Sequence, residues 1–239
     1  MTLPRLTRIT IGSVPVLLIG LLVFLLGLGG CGDDATKNSA GRTAAEAPER
    51  ETTGNLTLDL LASAAGIPLG ADSAPVVVYE LSDFQCPACR IVAERFLPNL
   101  KMHYVDGGRV RLVFVDFPLT NRHPNAFPAA LAARCAREQM MFWLYHDRLF
   151  DKQTEWSRVE DPTNLFVQYA GELGLDAGSF ETCLKEGRYR DEVQRNLDIA
   201  LQLKARGTPT FYVNGKEIFG SGQAIVAAIE EELRVRRAR

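Results

Sequence analysis

The sequence predicts an α/β fold in which a mixed central sheet is interrupted by a block of helices. Two apolar, β-branched runs, "PVVVYEL" at residues 75–81 and "VRLVFVDF" at residues 110–117, have the composition of buried strands. A second strand pair is predicted near the end of the chain, where Asn214 and Gly215 form a two-residue turn of the kind that hairpins favour. Residues 118–189 carry mainly helical patterns. The element order is therefore βαβ, a helical block and αββα.

The first helix is predicted to begin directly after Cys86. Pro87 suits the first turn of a helix, where its missing N–H is not needed. Apolar residues continue the helical spacing towards His103, and Pro98 is expected to kink this helix. Because a strand, a helix and a strand of similar character follow one another, the two strands should be parallel neighbours.

The later elements follow from periodicity and turn residues. The segment after residue 118 predicts a long helical stretch, then two short helices punctuated by Gly174 and Gly178. A further helix is expected over residues 189–205, before the terminal hairpin. A final amphipathic helix is expected to begin near Gly222.

The first 31 residues have the pattern of an export signal. Arg5 and Arg8 precede a long apolar run, and small residues then lead to Cys31. The sequence "LGGC" at residues 28–31 also resembles the lipobox of bacterial lipoproteins, in which the cysteine is acylated. An uncleaved membrane anchor is the alternative, because about 20 apolar residues can cross a bilayer. Both interpretations place the rest of the chain outside the cytoplasm and tether it to a membrane.

Residues 32–66 are predicted to be a flexible tether and a lead-in to the folded part. The tether is rich in Ala, Thr, Glu, Gly and Arg and almost lacks large apolar residues. The whole chain is 46% hydrophobic and 23% charged, with a formal charge of −2. The net charge therefore does not indicate a nucleic acid partner. The basic run at residues 234–239 is interpreted as a helix terminus that complements its dipole.

The motif "SDFQCPACR" places Cys86 and Cys89 three positions apart at the predicted helix start. Such a pair can supply two of the ligands of a metal site, form a structural disulfide or act as a redox-active dithiol. A structural zinc site usually brings two close pairs of ligands. This chain has one close pair, and no histidine lies within a few residues of Cys135 or Cys183. Zinc is therefore disfavoured, and no metal is expected.

A second motif, "GTPT" at residues 207–210, makes the assignment of the first more specific. It lies at the start of the predicted hairpin. Together with the element order, the two motifs resemble DsbA-family thiol–disulfide oxidoreductases, which have a thioredoxin fold with a helical insertion. The resemblance covers about residues 67–233. It implies a thioredoxin-like domain built from residues 67–117 and 190–239, with residues 118–189 as an inserted helical domain.

The resemblance implies a role for each residue of the two motifs. Cys86 at a helix N-terminus would be the nucleophilic thiolate, and Cys89 would resolve the mixed disulfide. Pro87 and Ala88 between them would tune the thiolate energy. In the family the Thr-Pro pair has a cis peptide bond facing the dithiol, which here is Thr208-Pro209, with backbone groups free to pair with a bound peptide. A tight turn without a role is the alternative.

Other positions are interpreted against the same family pattern. Glu80, six residues before Cys86, occupies the place of a buried carboxylic acid that could relay a proton to or from Cys89. A surface glutamate at a strand edge is the alternative. Asp83 and Phe84 are expected to shape the loop. For His123 a capping or packing role is favoured over a redox role.

Five cysteines are an odd number for an exported protein. If Cys31 is lipidated and Cys86 pairs with Cys89, two remain in the helical block. Cys135 and Cys183 are then expected to form a structural disulfide, worth about 4 kcal/mol by loop closure, with two separate buried thiols as the alternative.

The predicted function is extracytoplasmic thiol–disulfide exchange with exported proteins, in the direction of disulfide donation. The family chemistry requires no metal, flavin or nucleotide cofactor. A membrane redox partner would recharge the dithiol. The alternatives are a tethered reductase or isomerase and a peptide-binding chaperone module whose disulfide is structural.

Overall fold

The computed structural model of the chain describes residues 55–238, so the predicted signal at residues 1–31, its Cys31 and most of the predicted tether lie outside the described residues. The helices are α1 Leu56–Ser63, α2 Pro87–Ile91, α3 Leu97–Leu100, α4 Ala126–Arg137, α5 Phe142–Asp151, α6 Gln153–Trp156, α7 Thr163–Glu172, α8 Ala177–Glu186, α9 Arg190–Gln202 and α10 Gly222–Arg237. The strands are β1 Ile67–Leu69, β2 Val76–Ser82, β3 Val110–Asp116, β4 Thr210–Val213 and β5 Lys216–Ile218.

The strands form one five-stranded mixed sheet in the order β1-β3-β2-β4-β5. β2 and β3 are parallel, with Val78 opposite Leu112, and this confirms the predicted βαβ unit. β4 runs antiparallel to β2, and β5 returns antiparallel to β4 through the turn at Asn214 and Gly215. Both turn residues have positive φ, as the favoured two-residue hairpin turns require. The α/β class with helices between the two strand pairs is confirmed.

The chain from α2 to β3 is helical up to Val105, as predicted, but it is not a regular α-helix. Two π-helical turns, Val92–Phe96 and Lys101–Val105, lie on either side of α3. Pro98 is in the first turn of α3, directly after the first π-helical turn. Because proline lacks the N–H that an α-helix would use there, the hydrogen-bond pattern must change at this point.

The sequence analysis predicted neither helix α1, which lies in the predicted lead-in at residues 32–66, nor strand β1, which lies at the start of the predicted thioredoxin-like domain. Asn55 caps α1 by accepting from the backbone N–H groups of Thr57 and Leu58. Leu61 is buried against the sheet, and β1 pairs antiparallel with β3. Short elements of this kind draw their stability from tertiary contacts, which local periodicity does not reveal.

The sheet separates two layers of apolar side chains, because successive strand residues point to opposite faces. One face packs against the helical segment 87–105 and α10 through residues such as Val78, Phe211 and Ile225. The other face packs against α1 and α9 through residues such as Leu81 and Tyr212. This arrangement holds the ends of β2 and β4 in register, and the dithiol lies at those ends.

A third apolar cluster fills the helical block between β3 and α9 and extends to the active-site loop. Within it, a disulfide joins Cys135 of α4 to Cys183 of α8. Among residues 55–238, no helix combines the length and the apolar composition that a bilayer span requires.

Candidate active site

Cys86 lies at the carboxyl end of β2, as the N-cap residue of α2. A turn closed by the backbone bond from Cys86 N to Asp83 O places it there, and Pro87 follows as the first helical residue. Cys86 and Cys89 are not bonded to each other, so the structure represents the dithiol form. Cys86 is 7% exposed and Cys89 is completely buried. Only Cys86 can therefore be reached from solvent.

The surroundings of Cys86 favour its thiolate. Its pKa is lowered to about 5, chiefly by the hydrogen bond from the Cys89 thiol, and burial opposes this. The hydroxyl of Thr208 and the backbone N–H groups of Ala88 and Cys89 lower the pKa further. Ala88 therefore acts on Cys86 through its backbone. The two backbone donors lie at the N-terminus of α2, where unpaired N–H groups attract negative charge.

Cys89 has the opposite tendency. Burial raises its pKa well above the ordinary value, and the neighbouring Cys86 and Glu80 raise it further. The same pair thus contains one sulfur that ionises readily and one that keeps its proton. This asymmetry is what a nucleophile and a resolving thiol need.

Glu80 is a buried carboxylic acid in the middle of the sheet. It lies on β2 between Phe114 of β3 and Phe211 of β4, and it has no exposed surface. Neither carboxyl oxygen has a hydrogen-bond partner among the described residues. Burial raises the pKa of Glu80 to about 7, and the nearby Ser82 hydroxyl, outside hydrogen-bond geometry, offsets this only in part. A group with this pKa can both give and accept a proton near neutral pH.

The Thr208-Pro209 peptide bond is cis and precedes β4 directly. Because β4 pairs with β2, this loop meets the start of α2. The Cys86 thiol donates to the carbonyl oxygen of Thr208 at 3.4 Å. The Thr208 hydroxyl is buried and has no partner in the described chain, which leaves it free to donate to the Cys86 thiolate. The structure thus brings together the two motifs that lie 122 positions apart.

Gln153 of α6 also holds the active-site loop, and sequence reasoning did not identify it. Its side-chain amide donates to the carbonyl oxygens of Phe84 at 2.7 Å and Cys86 at 3.0 Å. The Gln85 side chain makes a similar link, donating to Ser157 O and accepting from Asn125 N. No local sequence signal points to these contacts, because their partners lie 40 to 72 positions away.

Asp83 shapes the loop, as the sequence suggested. One carboxyl oxygen accepts from Gln85 N at 2.7 Å, and the other accepts from Leu119 N at 2.8 Å. His123 Nδ1 lies 2.8 Å from that second oxygen. His123 therefore contacts a loop-shaping carboxylate, which fits the packing role favoured for it.

A groove of about 1130 Å³ opens beside the cis-proline loop. It is bounded by the Gly207–Thr208–Pro209 loop, by the helical segment 91–104, by β5 and by the start of α10. Its lining is mainly apolar and includes Ile91, Phe96, Leu100, Phe211, Ile218 and Phe219. Ile91 is 52% exposed and Phe219 is 62% exposed, so large apolar surfaces of the groove face solvent beside the cis-proline loop.

Comparisons with known proteins agree with this geometry. A family model described as Thioredoxin matches residues 63–231. The probable disulfide bond formation protein D of Bacillus anthracis is 34% identical over 170 residues, which cover 70% of this chain and 77% of that protein. The crystal structure of oxidised BdbD from Bacillus subtilis superposes with a TM-score of 0.64 at 27% identity, covering 70% of this chain and 92% of that one. Wolbachia pipientis α-DsbA1, at 21% identity and a TM-score of 0.62 over 70% of this chain and 90% of that one, shares the fold.

Proposed function

The chain belongs to the thioredoxin family, in its DsbA branch, and is a thiol–disulfide oxidoreductase; from this premise we propose that it donates disulfides to exported proteins. In its active state Cys86 and Cys89 would be joined as a disulfide. A substrate with two thiols leaves with a disulfide, and the enzyme leaves as the dithiol. The relatives named as disulfide bond formation proteins support this direction.

The proposed reaction has two exchange steps. A substrate thiolate attacks Cys86 Sγ, the bond between Cys86 and Cys89 breaks, and Cys89 departs and takes up a proton. The second substrate thiolate then attacks the substrate sulfur of the mixed disulfide, and Cys86 departs as a thiolate. Two electrons pass from the substrate to the enzyme. We propose that Glu80 donates the proton that Cys89 takes up, because the pKa of Glu80, about 7, suits proton transfer in either direction.

The observation that carries the proposal is the stabilised thiolate of Cys86. Hydrogen bonds that lower its pKa to about 5 exist only in the reduced protein, since a disulfide sulfur carries no charge to stabilise. Stabilising the reduced form makes the disulfide a stronger oxidant. The same thiolate is also a better leaving group in the second step.

We assign substrate binding to the loop of Thr208 and Pro209. The loop borders both Cys86 and the apolar groove, so a polypeptide attacking Cys86 would pass along it. An extended substrate segment beside Thr208 would pair with backbone groups there, as strands do at a sheet edge.

The cellular setting is part of the proposal. Export through the signal at residues 1–31, with a lipid on Cys31 or an uncleaved anchor, would hold the enzyme at the outer face of a membrane. The oxidase would then need a membrane redox partner that removes two electrons from the dithiol after each cycle. The predicted tether before α1 and the helical insertion at residues 118–189 complete the proposed domain arrangement.

The reduction potential of the Cys86–Cys89 pair tests the direction. It can be measured on the full chain in detergent by glutathione titration, with mass mapping to follow Cys135 and Cys183 separately. A value of about −120 mV, as in DsbA, would support disulfide donation, whereas a value of about −270 mV, as in thioredoxin, would establish the alternative reductase. A Cys86→Ser variant that kept full peptide-binding or chaperone activity would indicate that the dithiol is structural.

A further inference from the structure

Two arginines at the groove beside the dithiol have no ion-pair partner among the described residues. Arg95, on the helical segment, and Arg206, next to the cis-proline loop, both line the groove and are exposed. Neither forms a salt bridge with any carboxylate of residues 55–238, although most other arginines in this part of the chain do. The guanidinium of Arg206 lies 5.3 Å from the ring centroid of Phe219. It is thus held at the rim rather than folded against an acidic neighbour.

The groove contains little negative charge that could neutralise them. Glu217 is the acidic residue among those that line it. It lies opposite Tyr212 in the hairpin, whereas Ile218 lies opposite Phe211. Tyr212 packs on one face of the sheet and Phe211 on the other, the face of the groove. The side chain of Glu217 therefore points to the face opposite the groove.

The start of α10 adds positive potential. Gly222 and Gln223 line the groove and are the first residues of this 16-residue helix, whose cap residue Ser221 makes no side-chain capping bond. The free N–H groups of a helix N-terminus carry partial positive charge. Together with Arg95 and Arg206, these N–H groups place positive charge around the apolar floor of the groove.

We propose that the groove selects substrate segments that carry a bulky apolar residue and an acidic residue close to the reacting cysteine. The apolar residue contacts the floor formed by Phe96, Phe211 and Ile218, and the acidic residue pairs with Arg206 or Arg95. This inference rests on the proposed function, because it concerns the substrates of the same dithiol.

The position of Arg206 limits where the acidic residue lies. Arg206 is two residues before Thr208, whose carbonyl oxygen is 3.4 Å from Cys86 Sγ. Two residues of extended backbone span at most about 7 Å, so the acidic residue falls within about four positions of the substrate cysteine. An extended peptide can therefore react at Cys86 Sγ, contact the apolar floor and form an ion pair with an arginine at the same time.

The test uses three peptides that differ at a single residue. Each has two cysteines and one phenylalanine, and the residue three positions from the first cysteine is Glu, Gln or Lys. The full chain in detergent, oxidised at Cys86 and Cys89, converts each peptide to its disulfide and becomes the dithiol, and kcat/KM is measured at low and high salt. We expect the Glu peptide to exceed the Lys peptide about tenfold at low salt, with a smaller ratio at high salt.

Matched variants identify the residues responsible. Arg206→Gln should reduce the preference for the Glu peptide over the Gln peptide by about two- to fivefold. Arg95→Gln should reduce this preference less. Arg206→Lys keeps the positive charge and should retain most of the preference. Arg236→Gln is the control, because Arg236 is exposed on α10 away from the groove and has no ion pair among the described residues. Reduction by dithiothreitol, an uncharged dithiol, should be the same in all of these proteins.

Each outcome bears on a different claim. Equal rates with all three peptides, or a preference unchanged in Arg206→Gln, would overturn the selection while leaving disulfide donation intact. Reduction by dithiothreitol without oxidation of any peptide would instead overturn the proposed function. A peptide rate per enzyme that falls with rising enzyme concentration would show that a second copy occupies the groove, and this too would overturn the inference.

Discussion

At the residue scale, two cysteines of one motif differ because their surroundings differ. Cys86 receives hydrogen bonds at the start of α2, and its pKa is lowered to about 5. Cys89, one turn along, is completely buried, and burial raises its pKa. The thiol of Cys89 is itself the largest cause of the shift at Cys86, so each sulfur depends on the other.

Replacing Cys89 by alanine removes that thiol and should raise the pKa of Cys86. In the unaltered dithiol protein the rate of Cys86 alkylation by iodoacetamide should rise through pH about 5 and level off above it, because the thiolate is the reactive form. In Cys89→Ala the midpoint should move to higher pH. Cys135 and Cys183 are bonded to each other, and mass mapping of the alkylated peptides separates Cys86 from Cys31 and Cys89. A midpoint that stayed near 5 would mean that the backbone N–H groups and Thr208 suffice.

Glu80 should make stability depend on pH. Its folded pKa of about 7 exceeds the ordinary value of 4.5, so the folded protein binds this proton more tightly than the unfolded chain does. The resulting stabilisation is fully present below pH 4.5 and is lost as the pH rises through 7. Glu80→Gln stays neutral and should lack this loss. Between low and high pH, the difference in unfolding free energy between the two proteins should change by about 3 kcal/mol in favour of the variant.

Urea unfolding of both reduced proteins across this pH range measures that difference, and the ionisation of Cys86 is common to both. Curves that ran parallel from pH 4 to pH 8 would show that Glu80 titrates near its ordinary value. In that case it could not serve as the proton donor to Cys89 at neutral pH.

At the scale of elements, the helical block does more than cover the sheet. Helix α6 supplies Gln153, which donates to two carbonyl oxygens of the loop that carries Cys86. Gln153 is only 4% exposed, so water does not readily replace its amide. The position of the nucleophile therefore depends on an element outside the βαβ unit.

Gln153→Met keeps the length of this side chain and removes its donor. The Phe84 carbonyl loses its partner, while the Cys86 carbonyl keeps the backbone bond from Arg90. We expect a loss of about 1–3 kcal/mol in the free energy of unfolding, because a buried acceptor is left unsatisfied. Urea unfolding monitored by circular dichroism measures the loss.

Gln168→Met provides the matched control for that change. Gln168 lies on the surface of α7, where its amide bonds Glu172 one turn along. Its loss should cost less than about 0.5 kcal/mol. Equal effects of the two substitutions would contradict a special role for Gln153.

At the scale of the whole molecule, one buried arginine joins parts of the fold that are far apart in sequence. Arg134 of α4 is fully buried and forms an ion pair with Asp116 at the end of β3. It also bonds Glu192 of α9 and donates to the carbonyl oxygen of Ala65 at 2.7 Å. Asn196 donates to the same Asp116 oxygen at 3.1 Å. The network thereby connects the helical block, the sheet and the segment after α1.

Arg134→Met should destabilise the protein by about 3–5 kcal/mol, because it leaves the Asp116 carboxylate buried without its partner. Adding Asp116→Asn in the same chain removes the uncompensated charge and should recover part of the loss. Thermal and urea unfolding of the single and double variants measure both effects.

Arg137→Met is the control that also removes an arginine from α4, but one whose side chain is partly exposed. Arg137 lies one turn along α4, also pairs with Glu192, and has a side chain that is 34% exposed. Its loss should cost no more than about 1 kcal/mol, since exposed ion pairs contribute little. A loss as large as that of Arg134→Met would mean that Glu192, rather than Asp116, dominates the network.

The sequence by itself determined the parts of this protein that depend on near neighbours. The apolar alternation of β2 and β3, the Asn214 and Gly215 turn and the proline after Cys86 all act within a few residues. They were sufficient to predict the element order and the dithiol at a helix start. The motif at Thr208 and Pro209 linked these local features to a family and thus to a fold.

Only the tertiary structure decided which distant groups meet. Helix α1 is stabilised by the sheet it covers, Gln153 reaches a loop 67 to 69 positions away, and Arg134 meets Asp116 and Ala65. That Arg95 and Arg206 line a groove without an ion-pair partner among residues 55–238 likewise became visible only in the structure, where Glu217 points to the other face of the sheet. The physical reason is that burial and hydrogen-bond partnership depend on how chain segments pack, whereas periodicity records only how each segment can begin to fold.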